Sequence, residues 1–105
     1  MKNIGNLKIE SKMLPRPNTP IYNHSLPEIE EWLQKAGCQR DPDNLHYWNI
    51  DYLSDEFSWK ARIILDTQEI VVSYLGAGVN GADINRSFKY SLSRKDIEEA
   101  IFSGP

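Results

Sequence analysis

Ten residues near the C-terminus, Arg86-Ser87-Phe88-Lys89-Tyr90-Ser91-Leu92-Ser93-Arg94-Lys95, hold four cations and no acid. Guanidinium and ammonium groups at this density suit carboxylates or phosphates, which they bind through charge-assisted hydrogen bonds. The segment also runs into the start of a predicted helix, where backbone amides lack helical acceptors and favour an anion. Arg86, Lys89, Ser93, Arg94 and Lys95 are therefore the candidate partner- or anion-binding residues. The alternative is a solvated basic strand whose Phe88, Tyr90 and Leu92 serve the core.

Other residue types with chemical potential fail on spacing. Gly76-Ala77-Gly78-Val79-Asn80-Gly81 lacks the Gly-Lys-Ser/Thr ending that holds phosphate and magnesium, and no helix follows it at once. Its glycines read as suppliers of positive φ in turns. His24 and His46 have no second ligand at metal-binding spacing. Asp41 and Asp43 resemble the start of a calcium loop, but neither the sixth-position glycine nor the late glutamate follows. Cys38 is the only cysteine, so there is no internal disulfide framework and no cysteine-rich metal site. It reads as an inert thiol in a reducing compartment. No serine sits in a nucleophile elbow. No catalytic residue, cofactor-binding residue or metal ligand is assigned, and the balance leans away from an enzyme.

The chain has 105 residues, 40% hydrophobic and 26% charged, which is the size and composition of one globular domain. The body from residue 21 holds 8 basic and 14 acidic residues. Broad coating of nucleic acid needs the opposite balance, so any anion site must be local. No run approaches the roughly 20 apolar residues of a membrane span, and no apolar signal region follows Met1. The expected location is cytoplasmic.

The elements that must position these residues are well marked. Residues 1–20 read as a basic, proline-punctuated arm and residues 21–105 as a single α+β domain. Within the arm, residues 1–13 are expected to be mobile, while 19–24 form a strap that docks Ile21 and Tyr22. Ser25 and Glu28 form a capping box, and Ile29, Trp32, Leu33 and Ala36 follow a helical stripe that Gly37 ends. Tyr47 to Leu53, Phe57 to Leu65 and Glu69 to Leu75 alternate as strands. Phe57, Trp59, Ala61, Ile63 and Leu65 are expected to face inward. Arg86 to Leu92 is a short fourth strand or an extended approach to a second helix capped by Ser93. The expected fold is a two-layer sandwich, α-β-β-β-(β)-α, an antiparallel meander with both helices on one face. Trp32, Leu33, Trp59, Ile63, Val72, Phe88, Ile97 and Ile101 are its expected core.

Two stretches carry a family resemblance. One is Leu14-Pro15…Thr19-Pro20-Ile21-Tyr22-Asn23-His24…Leu26-Pro27…Ile29-Glu30…Trp32-Leu33…Gly37, and the other is Arg86 to Pro105. Together they resemble a family of small uncharacterised proteins of cyanobacteria and plant plastids, domain of unknown function 3143. The resemblance implies a cyanobacterial cytoplasm or plastid stroma and brings no catalytic residue. The element order is also similar to that of the double-stranded-RNA-binding domain, in which cations at the last helix straddle phosphates. The acidic Ser54-Asp55-Glu56 loop and the long run from Gly76 to Ser93 depart from that pattern. The leading expectation is a non-enzymatic binding or assembly module that meets a protein partner through residues 86–95. The alternatives are an RNA-binding module and an enzyme with an unrecognised site.

Overall fold

The computed structural model describes residues 14–105. The expected mobility of residues 1–13 lies outside the described residues. Two helices, α1 (Leu26–Lys35) and α2 (Arg94–Phe102), cover one face of a five-stranded sheet. Its strands are β1 (Gln39–Arg40), β2 (Tyr47–Leu53), β3 (Ser58–Leu65), β4 (Glu69–Tyr74) and β5 (Ile84–Lys89). They pair antiparallel in the order β1-β2-β3-β4-β5, so each strand lies beside its sequence neighbour. The fold is the expected α+β meander, with one further strand in β1.

Both helices begin as their sequences dictate. The Ser25 hydroxyl accepts from the Glu28 amide, and the Glu28 carboxylate accepts from the Ser25 amide, which closes the capping box. Ser93 accepts from the Asp96 amide at 3.2 Å. Ile29, Trp32 and Leu33 of α1 and Ile97 and Ile101 of α2 turn onto the sheet. There they meet Trp48, Ile50, Trp59, Ala61, Ile63, Ile70, Val72 and Tyr74. Burying one such aliphatic side chain contributes about 1.5–3 kcal/mol relative to leaving it in water. Two polar tips tie the layers together: Trp32 Nε1 donates to Glu98 Oε1 at 2.8 Å, and the Tyr74 hydroxyl donates to the Ile101 carbonyl at 2.6 Å.

Strand phase agrees with the alternation, but burial stops where helix cover stops. Tyr52 and Phe57 lie past the layer at the β2–β3 hairpin, 37% and 53% exposed, and stack on each other at 5.8 Å. Phe57 is therefore not a core residue, although its phase is the inward one. Phe88 is partly buried at the core's margin. The last strand also differs from its expected span. It begins at Ile84 and ends at Lys89, because Tyr90 and Ser91 turn the chain toward α2.

The strap docks. Pro20 forms an antiparallel bridge with Ser93, Ile21 N donates to Leu92 O at 2.9 Å, and Tyr22 N donates to Tyr90 O at 3.0 Å. Ile21 is fully buried, whereas Tyr22 stays 63% exposed. Contacts start earlier still, since Pro15 is fully buried and Leu14 packs against the core.

Candidate functional site

The five sequence-selected residues lie on three different surfaces. In the β4–β5 register Arg86 stands opposite Val72 and Phe88 opposite Ile70, so both belong to the helix-covered face. Lys89 stands opposite Glu69 and belongs to the open face. Arg86 lies at the margin of the helix layer, with its guanidinium carbon 5.5 Å from the centre of the Tyr74 ring. Arg86, Lys89 and Lys95 are exposed and make no ion pair among the described residues.

Ser93 and Arg94 are already engaged. The Ser93 hydroxyl serves the α2 cap. Arg94 Nη1 lies 3.4 Å from Glu98 Oε1, the same oxygen that accepts from Trp32. That bond links α1 to α2, so Arg94 helps to hold a carboxylate within a structural contact. The expectation of free amides at the α2 start is also modified by the strap. Lys95 N donates to Pro17 O at 3.0 Å, and Asp96 N donates to Ser93. The groove beside them, about 390 Å³, is lined by Asn18, Pro20, Ser93 and Lys95, but also by the Asp96 carboxylate. An anion there would face that acid and would find two of the first amides occupied.

The glycine-rich loop spends its amides on itself. Gly78 N donates to Ala82 O, Gly81 N to Gly78 O, and Gly76 N to the Asp83 carboxylate. Gly76 and Gly81 take φ of 65° and 79°, and even Asn80 is left-handed at 60°. This is turn chemistry, and it sets the direction in which β5 enters the sheet. Cys38 is buried, and desolvation pushes its thiol up to about 12, which keeps it protonated and poorly nucleophilic near neutral pH. No cluster of three or more His, Cys, Asp or Glu suited to a metal exists among the described residues. No helix among them is long and apolar enough to cross a membrane.

One feature at this site has no signal in the residue pattern. Among the described residues, β5 has a strand neighbour on only one side. Among the described residues, Ile84–Phe88 make no backbone hydrogen bond outside the β4 ladder. The strap makes its backbone contacts with residues 90–95 and then leaves for α1 through His24. Among the described residues the outer edge of Ile84–Phe88 therefore lies open, with Arg86 on one face and Lys89 on the other.

The fold and this site define a small helix-backed antiparallel sheet whose β5 edge is open among the described residues. A family model described as Protein of unknown function (DUF3143) matches residues 36–104, and the chain belongs to that family. The match spans all five strands and α2, and begins after α1. No curated protein and no solved structure matches the chain.

Proposed function

We propose that this protein is a non-enzymatic interaction module that meets a protein partner through the basic-aromatic segment 86–95. The carrying observation is that Arg86, Lys89 and Lys95 stand exposed and without ion pairs on a body with 14 acids against 8 bases. Lys35, Arg40 and Arg94 pair with acids, and among the described residues Lys60 and Arg62 do not; what sets residues 86–95 apart is that their cations cluster with no acid between them. Left free, they favour an acidic partner by steering its approach and fixing its register. Ser93 and Arg94 support the surface by capping α2 and by holding Glu98. On the resemblance drawn from the sequence, the expected setting of this encounter is a cyanobacterial cytoplasm or a plastid stroma.

The RNA reading has less to stand on. It needs Arg94 and Lys95 free together at the helix start, and Arg94 is committed to Glu98.

The test is photo-crosslinking in a native lysate, with the reactive group at Ser87 and a control at Gln68. Adducts specific to position 87 are expected to fade as salt rises, since exposed charges are screened over about 8–10 Å. They should also disappear in Lys89→Glu combined with Lys95→Glu while thermal stability stays unchanged. Equal adducts from Gln68, or from the charge-reversed protein, would refute the reading.

A further inference from the structure

We infer that the partner segment binds as a sixth strand: an extended acidic peptide that adds to the open edge of β5. The inference rests on the reading of segment 86–95 as a partner surface and specifies how that surface is used. Three observations converge on it.

The first is the edge itself. β5 is six residues long, regular in its pairing with β4 from Glu69↔Lys89 to Tyr74↔Ile84, and unpaired on its other side among the described residues. Unpaired strand amides and carbonyls form a ready template for another chain, and recognition by strand addition uses this feature. The second is the placement of charge. A ligand lying on one face of the sheet would meet Arg86 or Lys89 but not both. A strand running beside β5 has side chains on both faces, so its own acids can reach Arg86 on one face and Lys89 on the other. The opposite orientations that rule out one compact anion pocket are the orientations an added strand requires. The third is that the chain itself uses this mode next door. The strap, itself extended at Pro20, lies antiparallel against residues 90–93 with backbone hydrogen bonds at Ile21 and Tyr22, and stops short of β5.

Charges on an edge strand commonly serve to prevent self-association, and here they also select the occupant. Pairing two copies of β5 about Arg86 would set Arg86 against Arg86 of the second copy, and like charges directly opposed destabilise a strand pair. An acidic strand reverses that sign. In that register the edge disfavours its own kind and favours a complementary chain.

The experiment uses the full chain and a fluorescein-labelled short peptide of glutamates interspersed with valines, followed by fluorescence anisotropy. Three comparisons accompany it: the same peptide N-methylated throughout, a lysine-valine peptide, and Arg86→Glu combined with Lys89→Glu. Strand addition predicts saturable binding of the acidic peptide only, weakened about tenfold or more by N-methylation and by the double reversal. It further predicts slowed amide exchange within residues 84–88 when the peptide is bound. Equal binding of the N-methylated peptide would overturn strand addition while leaving the basic partner surface intact. Failure of the acidic peptide to bind, or normal binding by the double variant with its melting temperature unchanged, would also overturn it. The crosslinking result at Ser87 then decides separately whether the partner surface stands. If the double variant is destabilised, Arg86→Gln with Lys89→Gln replaces it, and undiminished binding there overturns the inference equally.

Discussion

At one edge of the sheet, β1 is two residues long and the charged groups around it have partners, although the buried Trp48 indole N–H has none among the described residues. Arg40 places its guanidinium carbon 4.9 Å from the centre of the Trp48 ring, pairs with Glu30 at 3.1 Å and donates to the Leu45 carbonyl. Asp41 accepts from the amides of Asp43 and Asn44 and from the Asn49 side chain, and Pro42 follows with no amide to offer. Cys38 is buried behind the strand. At the other edge, β5 has no strand on its outer side and carries two cations without an ion pair among the described residues. The same residue type does different work at the two places: Arg40 closes an edge, and Arg86 waits at one. What separates them is the supply of partners, because a charge satisfied within the fold has little left to offer a ligand.

If the contrast holds, changes at the β1 edge are read as lost stability and changes at the β5 edge as lost binding. The largest expected effect is at Trp48, which is 4% exposed and lies under Arg40. Trp48→Ala should cost about 3–5 kcal/mol in urea unfolding. A cost under about 1 kcal/mol would mean that the β1 edge is not held from beneath. Next, Arg40→Ala should cost about 1 kcal/mol, since its ion pair and ring contact are partly solvent-exposed and each contributes modestly. Arg86→Ala should stay within about 0.5 kcal/mol of wild type. Equal losses at the two arginines would erase the distinction.

A kinetic measurement sharpens the same contrast. The Cys38 thiol, pushed up to about 12 by burial, should resist a thiol reagent at pH 8 in the folded protein and react freely in urea. Fast labelling without denaturant would show the β1 edge opening on its own. The smallest effect concerns Asp41. Its carboxyl is held below its usual 3.8, first by the Asn49 side-chain hydrogen bond and then by the Asp43 amide. A carboxyl lowered on folding stabilises the protein above its unfolded pKa and loses that contribution as pH falls through the folded value. Stability of the wild type should therefore fall with acid from about pH 4 downward, and Asp41→Asn should show a shallower decline. Identical slopes would show that the turn does not draw on the Asp41 charge.

Much of this fold is legible in the residues because its causes are local. Ser25 with Glu28, and Ser93 with Asp96, mark both helix starts through hydrogen bonds that span three residues. The alternation from Trp59 to Leu65 fixes which side of β3 is buried, because successive strand side chains point to opposite faces. β1 has no such signature. Two residues cannot show a period, and Gln39 and Arg40 become a strand only because Asn49 and Trp48 are there to pair with them. Phe57 shows the same limit, since alternation gives its direction but not how far the helices reach over the hairpin.

The candidate site divides along the same line. Composition alone determines that an acidic chain gathers four cations near its C-terminus, and alternation alone separates the side of Arg86 from that of Lys89. Tertiary structure decides which cations are free. Arg94 meets Glu98 because Trp32, 66 positions away from Glu98 in sequence, holds that carboxylate in place. The α2 amides are partly consumed because the strap brings the Pro17 carbonyl to Lys95. An open strand edge is likewise a property of pairing partners, not of the strand's own residues. Local chemistry is written in neighbours a few positions apart. Satisfaction of a charge or an amide depends on whatever the folded chain carries to it from afar.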